Sequence, residues 1–158
     1  TQNHQHLIDF LIEKDIAKNI TLEYTTNCTL APKPEWIESI KHFKDVIVIC
    51  SIDGVGKVNS KIRLGSDWSK VSRTFDFFKS LDIRLRVNTV VMTENIFHLA
   101  ELSKWISDNN LDNWSCNVLT WPSELSITTL PNIDKQQLYT IIEQCNITDK
   151  QFILDQLQ

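Results

Sequence analysis

Several features that would place a protein in a functional class at once are missing from this sequence. No stretch reaches eighteen consecutive apolar residues, and residues 1–10 lack the basic and apolar regions of a signal peptide. We therefore predict no membrane association. The 16 basic residues are outnumbered by 20 acidic ones, and the net charge of −4 argues against general nucleic-acid binding. The chain does not begin with methionine and contains only one, so we expect a fragment of a longer protein.

Closely spaced cysteines are also missing. The four cysteines, Cys28, Cys50, Cys116 and Cys145, are scattered and form no CxxC pair. A zinc site needs neighbouring ligands that converge on one ion, so we predict no metal site within this chain. Their apolar neighbours favour small buried core residues, and free thiols of this kind favour a reducing, cytoplasmic location.

Glycine is scarce, with three residues, and the segment that holds two of them fits neither common phosphate-binding motif. Residues 54–57 (GVGK) are preceded by Ser51 where a Walker loop needs its first glycine, and Val58 stands where that loop needs serine or threonine. A dinucleotide-binding fingerprint would need a third glycine at Asn59. We therefore interpret this segment as a turn.

What the sequence does contain is an alternation of strand and helix patterns in a chain with 42% hydrophobic and 23% charged residues, typical of one globular domain. We predict strands at residues 20–26, 46–52, 83–92 and 114–119. We predict helices at residues 4–18, 34–43, 95–109, 134–145 and 149–157, and one from a cap at Ser66 or Asp67 to residue 81, with Asp134 and Thr148 capping the last two. Units of roughly thirty residues predict parallel strands in a small open sheet or part of a barrel.

Polar residues stand where these strands end. The apolar run from Val46 leads into Ser51-Ile52-Asp53-Gly54, and Arg63 follows twelve residues after the serine. The first strand ends in Thr25-Thr26-Asn27, the third carries Arg86 to Val91 (RVNTVV), and the fourth ends in Asn117-Val118-Leu119. Because ligands gather at the carboxyl ends of parallel strands, we expect the functional residues at this edge.

In their order along the chain, these strand ends resemble the radical S-adenosylmethionine (radical SAM) enzymes, in the branch whose barrel is followed by a SPASM or twitch extension. In that family TN closes the third barrel strand, and S-[IL]-D-G closes the fourth, with an arginine further along. The fifth strand reads much like vNtvv…N, here Val87 to Val91 with Asn95, and the sixth ends near an apolar residue followed by proline, here Leu119 and Pro122. The resemblance covers residues 20–131.

The resemblance implies an α/β fold, with a partial (β/α) TIM-type barrel of parallel strands over residues 1–122 and the start of a helical twitch or SPASM-type extension over residues 123–158. It also implies a cofactor site. Ser51 would hydrogen-bond the methionine or ribose end of S-adenosylmethionine, and Arg63 would pair with its carboxylate, as a guanidinium fork can. Leu119 would contact the adenine, although the alternative interpretation, a leucine that only packs in the core, is nearly as well supported.

Four further residues complete the expected site. The resemblance places Asn27 with the cofactor, and Thr26 and Arg86 on the substrate side of the barrel mouth. Strand alternation does not separate Arg86 from Arg84. For Asp53 we favour shaping of the turn through hydrogen bonds from backbone amides over contact with the cofactor.

Two family features are absent from this sequence. The CxxxCxxC loop that ligates the 4Fe-4S cluster is missing, as is the Gly-Gly-Glu end of the second barrel strand. The resemblance therefore implies a fragment whose cluster is ligated outside this chain. The parent enzyme would form a 5′-deoxyadenosyl radical to modify a peptide or small molecule, with a reductant such as flavodoxin or ferredoxin. We expect this chain alone to be inactive. The alternative is a non-catalytic α/β module that binds another small ligand.

Overall fold

The computed structural model of the protein describes residues 2–111, 113–148 and 150–157, and its centre is one parallel sheet with the strand order β1-β2-β3-β4. The strands are β1 (Thr21–Thr26), β2 (Asp45–Ser51), β3 (Arg84–Val91) and β4 (Trp114–Val118). Each pairs in parallel with the strand that follows it along the chain. The predicted α/β class with parallel strands is confirmed, and each observed strand begins and ends within one residue of its predicted bounds.

Helices connect and flank the strands. They are α1 (Gln2–Glu13), α2 (Pro34–Ile40), α3 (Lys57–Ile62), α4 (Trp68–Lys79), α5 (Leu99–Asp108), α6 (Asn132–Gln144) and α7 (Lys150–Asp155). Short 3₁₀ turns occur at Ala17–Asn19, Ile96–His98, Ser123–Leu125 and Ile127–Thr129. No helix in the described part of the chain is long and apolar enough to cross a membrane.

The helices differ from the sequence-based expectation in several details. Helix α1 ends at Glu13 rather than residue 18, and Asp15 follows with a positive φ of 56°. The sequence pattern does not predict α3. Helix α6 begins at residue 132, directly after Pro131, so Asp134 lies in its first turn and does not cap it. The predicted start of the last helix at residue 149 lies outside the described residues; α7 is described from Lys150, and the predicted cap at Thr148 stays a prediction.

The sheet has one apolar face and one polar face. Val46, Val48 and Cys50 of β2 lie on the apolar face and are buried with the helices in one continuous hydrophobic core. The alternation of side chains puts the intervening residues on the other side. We call that side the polar face, because by strand register it carries Ser51, Arg84, Arg86, Asn88, Ser115 and Asn117. It also carries three apolar residues, Ile47, Ile49 and Val90.

The C-terminal helices pack against the same core as the sheet. Leu138 and Ile142 of α6 and Ile153 of α7 are buried in the cluster that also contains Trp114 of β4. The Thr148 amide donates a hydrogen bond to the Trp114 carbonyl at 2.9 Å, on the edge of β4 that faces away from β3. This helical extension therefore covers the β4 edge of the sheet.

Candidate functional site at the carboxyl ends of the strands

Asp53 is the buried centre of the loop that leaves β2. Its side chain is 4% exposed. The Oδ1 atom accepts a hydrogen bond from the Val90 amide at 2.8 Å, and Oδ2 lies 2.8 Å from Nε of Arg63. The Asp53 amide donates to Oδ1 of Asn59 at 3.0 Å. One residue therefore joins the end of β2 to both β3 and α3.

Asn95 fixes the same loop from the far side of β3. Its Nδ2 donates to the carbonyls of Asp53 and Val90 at 2.9 and 2.8 Å, and its Oδ1 accepts from the Met92 amide at 2.9 Å. The side chain is fully enclosed, so it satisfies three backbone groups that would otherwise be buried without partners. This network links the end of β2 to the end of β3.

Two glycines allow α3 to pack closely over the end of β2. A Cβ added to Gly54 would lie 2.6 Å from Cγ1 of Val58, so a side chain at position 54 would push the helix away. Gly56 precedes α3 with a φ of +59°, a conformation that L-residues with side chains rarely adopt. Arg63 caps the carboxyl end of this helix, its amide donating to the Asn59 carbonyl at 2.9 Å.

The Arg63 guanidinium is held at one end and accessible at the other. Its side chain is 25% exposed. Although Nε is close to Asp53, its N–H is not aligned for a hydrogen bond, and Asn59 Nδ2 and Ser66 Oγ are also buried without a hydrogen-bond partner among the described residues. Unsatisfied buried polar groups are uncommon and often mark a place where a ligand or water belongs.

Ser51 lies at the end of β2 on the polar face. It is in register with Asn88, which is in register with Ser115 on β4. Asn88 Oδ1 accepts hydrogen bonds from Oγ of Ser115 at 3.2 Å and Nδ2 of Asn117 at 3.1 Å. Within the described ranges, the Ser51 hydroxyl has no side-chain partner of its own. It is therefore available to a ligand at this edge.

Leu119 follows β4 at the same edge and is half-buried. Its amide donates to the Val91 carbonyl at 2.9 Å, one residue beyond the Val90 amide that binds Asp53. The structure thus brings four of the predicted cofactor residues, Ser51, Asp53, Arg63 and Leu119, to the ends of adjacent strands. Whether they bind the cofactor stays a prediction.

The other predicted residues lie elsewhere. Thr26 Oγ1 accepts from the Cys28 amide at 3.1 Å, and Asn27 Oδ1 accepts from the amide and hydroxyl of Thr29 at 3.1 and 2.8 Å, so both side chains bind their own loop. By register Thr26 shares the apolar face with Cys50, whereas Arg86 lies on the polar face, 4.0 Å from Glu23. The structure does not bring Thr26 and Arg86 together.

Arg84 shares the polar face with Arg86, as the alternation of the strand requires. Arg84 forms an ion pair with Asp45 at the start of β2, and Arg86, two residues further along, still lies in the amino-terminal half of β3. The two arginines therefore share one face of the sheet and differ in their position along β3.

Three asparagines belong to the site although the sequence analysis assigned them no role. Asn59, Asn88 and Asn95 make the hydrogen bonds described above. Asn88 and Asn95 occupy the two asparagine positions of the vNtvv…N pattern, so the sequence contained a signal for them. Asn59 carries no such signal, because its role depends on how α3 folds back over β2.

The cysteines do not form a ligand set. All four are buried, and the described residues contain no group of three or more His, Cys, Asp or Glu side chains able to hold a metal ion. A hydrogen bond with the Cys28 side chain, together with burial, raises the pKa of Cys50 well above its ordinary value. A 4Fe-4S cluster needs converging thiolates, so these residues do not fit one.

The fold is similar to that of solved structures, although the chain matches no protein-family model and no curated protein. One is the structure of native anSMEcpe with bound AdoMet (S-adenosylmethionine) and the Cp18Cys peptide, with a TM-score of 0.64 at 17% identity. Another is SuiB of Streptococcus suis bound to S-adenosylmethionine, with a TM-score of 0.60 at 17% identity. A third is SuiB bound to the precursor peptide SuiA, with a TM-score of 0.58 at 20% identity.

These similarities cover most of this chain but less than half of the neighbours. The match to anSMEcpe covers 88% of this chain and 41% of that one, and the matches to SuiB cover 87% of this chain and 30% or 31% of that one. At such low identity the similarity establishes the fold, which is a four-stranded parallel part of a TIM-type barrel with flanking helices.

Proposed function

We propose that this chain is part of a radical SAM enzyme of the SPASM/twitch branch, and that the ends of β2, β3 and β4 bind S-adenosylmethionine. The observation that carries the proposal is the convergence of Ser51, Asp53 and Arg63 at one edge of the sheet, with the spacing of that family. Its support is a fold similar to two structures that hold S-adenosylmethionine.

In this proposal the residues of the chain bind and orient the cofactor. Arg63 pairs with the carboxylate, Ser51 hydrogen-bonds the methionine or ribose end, and Leu119 packs on the adenine. Asn27 lies farther away, on the β1 loop, and would reach the cofactor only if its hydrogen bonds to Thr29 open. When bound with a reduced 4Fe-4S cluster, S-adenosylmethionine supplies a 5′-deoxyadenosyl radical that takes a hydrogen atom from the substrate.

We propose that the cluster ligands lie in a part of the protein outside this chain, with flavodoxin or ferredoxin as the reductant and the cytoplasm as the location. For the substrate we favour a peptide, because structures of both anSMEcpe and SuiB contain one. Arg86 on the polar face and Thr26 at the end of β1 are the proposed substrate residues. Residues 123–158 would begin the twitch or SPASM-type extension.

The binding step can be tested with this chain. S-adenosylmethionine should bind in isothermal titration calorimetry, and 5′-methylthioadenosine, which lacks the amino-acid end, should bind more weakly because it cannot reach Arg63. Equal affinity for the two compounds would contradict the proposed role of Arg63. Absence of any binding would contradict the cofactor site.

The catalytic part of the proposal has a separate test. The coding sequence upstream of Thr1 should contain a CxxxCxxC motif in the same frame. An intact upstream frame without that motif would favour the alternative, a non-catalytic α/β module in which the same strand ends bind a different small ligand.

A further inference from the structure

We propose that Asp53 is a positioning residue of this site. Its carboxylate holds the Arg63 guanidinium in the orientation that receives a ligand carboxylate. Its charge also favours a ligand that carries positive charge beside that carboxylate. This inference rests on the proposed function and extends it by giving Asp53 a role that does not require contact with the ligand.

The Asp53 carboxylate is anchored before any ligand binds. Oδ1 is fixed by the Val90 amide of β3, and the backbone of Asp53 is fixed by Asn59 on α3 and by Asn95. The side chain is 4% exposed, so it has almost no contact with solvent and little surface to offer a ligand. Only Oδ2 remains, and it faces Nε of Arg63 at 2.8 Å.

The contact with Asp53 leaves the outer end of the guanidinium available. Nε lies next to Oδ2, and in the described part of the chain Nη1 and Nη2 have no hydrogen-bond partner. These two nitrogens present the planar fork that a carboxylate binds with two parallel hydrogen bonds. Because Asp53 holds the side chain beforehand, less rotamer freedom is lost when the ligand binds.

The charge of Asp53 makes the pair neutral as a whole. A simple anion such as sulfate is attracted by Arg63 and repelled by Asp53, so it gains little. S-adenosylmethionine carries an ammonium and a sulfonium group near its carboxylate, and both positive charges are favoured by the Asp53 carboxylate. The site is therefore built for a zwitterionic amino-acid end rather than for anions in general.

The test is a double-mutant cycle on this chain, measured by NMR chemical-shift titration with S-adenosylmethionine. Asp53→Asn keeps the oxygen that accepts from Val90 and turns an NH₂ group toward Arg63, so it breaks only the pairing. Affinity should fall about ten-fold in the wild-type background and change little in an Arg63→Ala background, because coupled residues are not additive. An equal loss in both backgrounds would mean that Asp53 acts independently of Arg63, and would overturn the inference.

Two further variants sharpen the result. Glu94→Gln makes the same change of charge beside Lys61, at 3.1 Å, and should leave the affinity unchanged. Asp53→Glu keeps the charge but moves the carboxylate by one methylene, so it should weaken binding several-fold; it also serves if Asp53→Asn does not fold. Wild-type affinity in Asp53→Glu would contradict positioning.

The affinity for sulfate is a second measurement, because a purely structural role of Asp53 does not predict that its replacement strengthens sulfate binding. Asp53→Asn should bind sulfate several-fold more tightly than the wild type, and the Arg63→Ala background should abolish that gain. Weaker sulfate binding would overturn the charge argument. A wild-type chain that binds no S-adenosylmethionine overturns the proposed function and this inference together, whereas binding with additive losses overturns the inference alone.

Discussion

Arg63 pairs with the buried Asp53 carboxylate and is the proposed partner of the ligand carboxylate, so its loss should affect both binding and stability. We expect Arg63→Ala to weaken S-adenosylmethionine binding about 10- to 150-fold, which corresponds to about 1.5–3 kcal/mol for hydrogen bonds to a charged group. Calorimetry measures this loss. Arg73→Ala, on the exposed side of α4, is the control and should bind as the wild type does. Unchanged affinity in Arg63→Ala would remove Arg63 from the site.

The thiol of Cys50 should make stability depend on pH in the alkaline range. The hydrogen bond with Cys28 and burial raise the pKa of Cys50 in the folded chain. The protonated thiol is therefore favoured by folding, and this contribution is fully present below the unfolded-state pKa of about 8.5 and is lost as the pH rises above it.

We accordingly expect the free energy of unfolding, measured by urea denaturation, to fall as the pH rises from about 8.5 to 10.5. Cys50→Ala should show a shallower fall. Some slope should remain, because burial also raises the pKa of Cys145. An identical slope in Cys50→Ala and the wild type would show that the thiol is not responsible.

At the scale of elements, the short helix α3 depends on the small size of Gly54. Gly54→Ala would place a Cβ 2.6 Å from Cγ1 of Val58, so α3 must shift and carry Arg63 with it. We expect a loss of about 1–3 kcal/mol in stability, as overpacking usually costs, together with weaker S-adenosylmethionine binding.

The double variant Gly54→Ala/Val58→Ala removes the clashing methyl group and should recover part of both losses. Gly56→Ala is the contrasting case, since nothing lies within 4 Å of the added Cβ but the φ of +59° is unfavourable. Adding Val58→Ala to Gly56→Ala should therefore recover neither stability nor binding. Thermal unfolding and calorimetry of the wild type, the two single glycine variants and their two combinations with Val58→Ala test this difference.

The elements differ in how well the sequence predicts them, for physical reasons. The strands are clear because parallel strands buried between layers read as apolar runs, as from Val46 to Ile52. Helix α3 is missed because it has six residues and follows Gly56 without a side-chain cap. The residues at the strand ends are found from their order along the chain. The Asp53–Arg63 ion pair cannot be predicted from that order, because it depends on α3 folding back over β2.

At the scale of the whole molecule, the two edges of the sheet differ. The helical extension covers β4 through the bond from Thr148 to the Trp114 carbonyl, and its apolar side chains belong to the common core. Strand β1 has no strand on its outer side among the described residues. The polar face is the side on which we propose that the ligand meets the chain.

The distribution of cysteines over the whole molecule predicts that this chain holds no iron–sulfur cluster. Cys50 lies on β2 and Cys116 on β4, with β3 between them, whereas Cys28 follows β1 and Cys145 follows α6. A 4Fe-4S cluster needs thiolates that converge on one pocket, and buried thiols with a raised pKa, such as Cys50 and Cys145, resist deprotonation.

Anaerobic treatment with iron and sulfide should therefore leave the chain without broad absorbance near roughly 400 nm, where such clusters absorb. An apo-ferredoxin treated in parallel is the positive control. Dithionite and S-adenosylmethionine should then release no 5′-deoxyadenosine from this chain, even if Arg63 and Ser51 bind the cofactor. A stoichiometric cluster on this chain would contradict both the interpretation of the four cysteines as core residues and the proposal that the cluster ligands lie outside it.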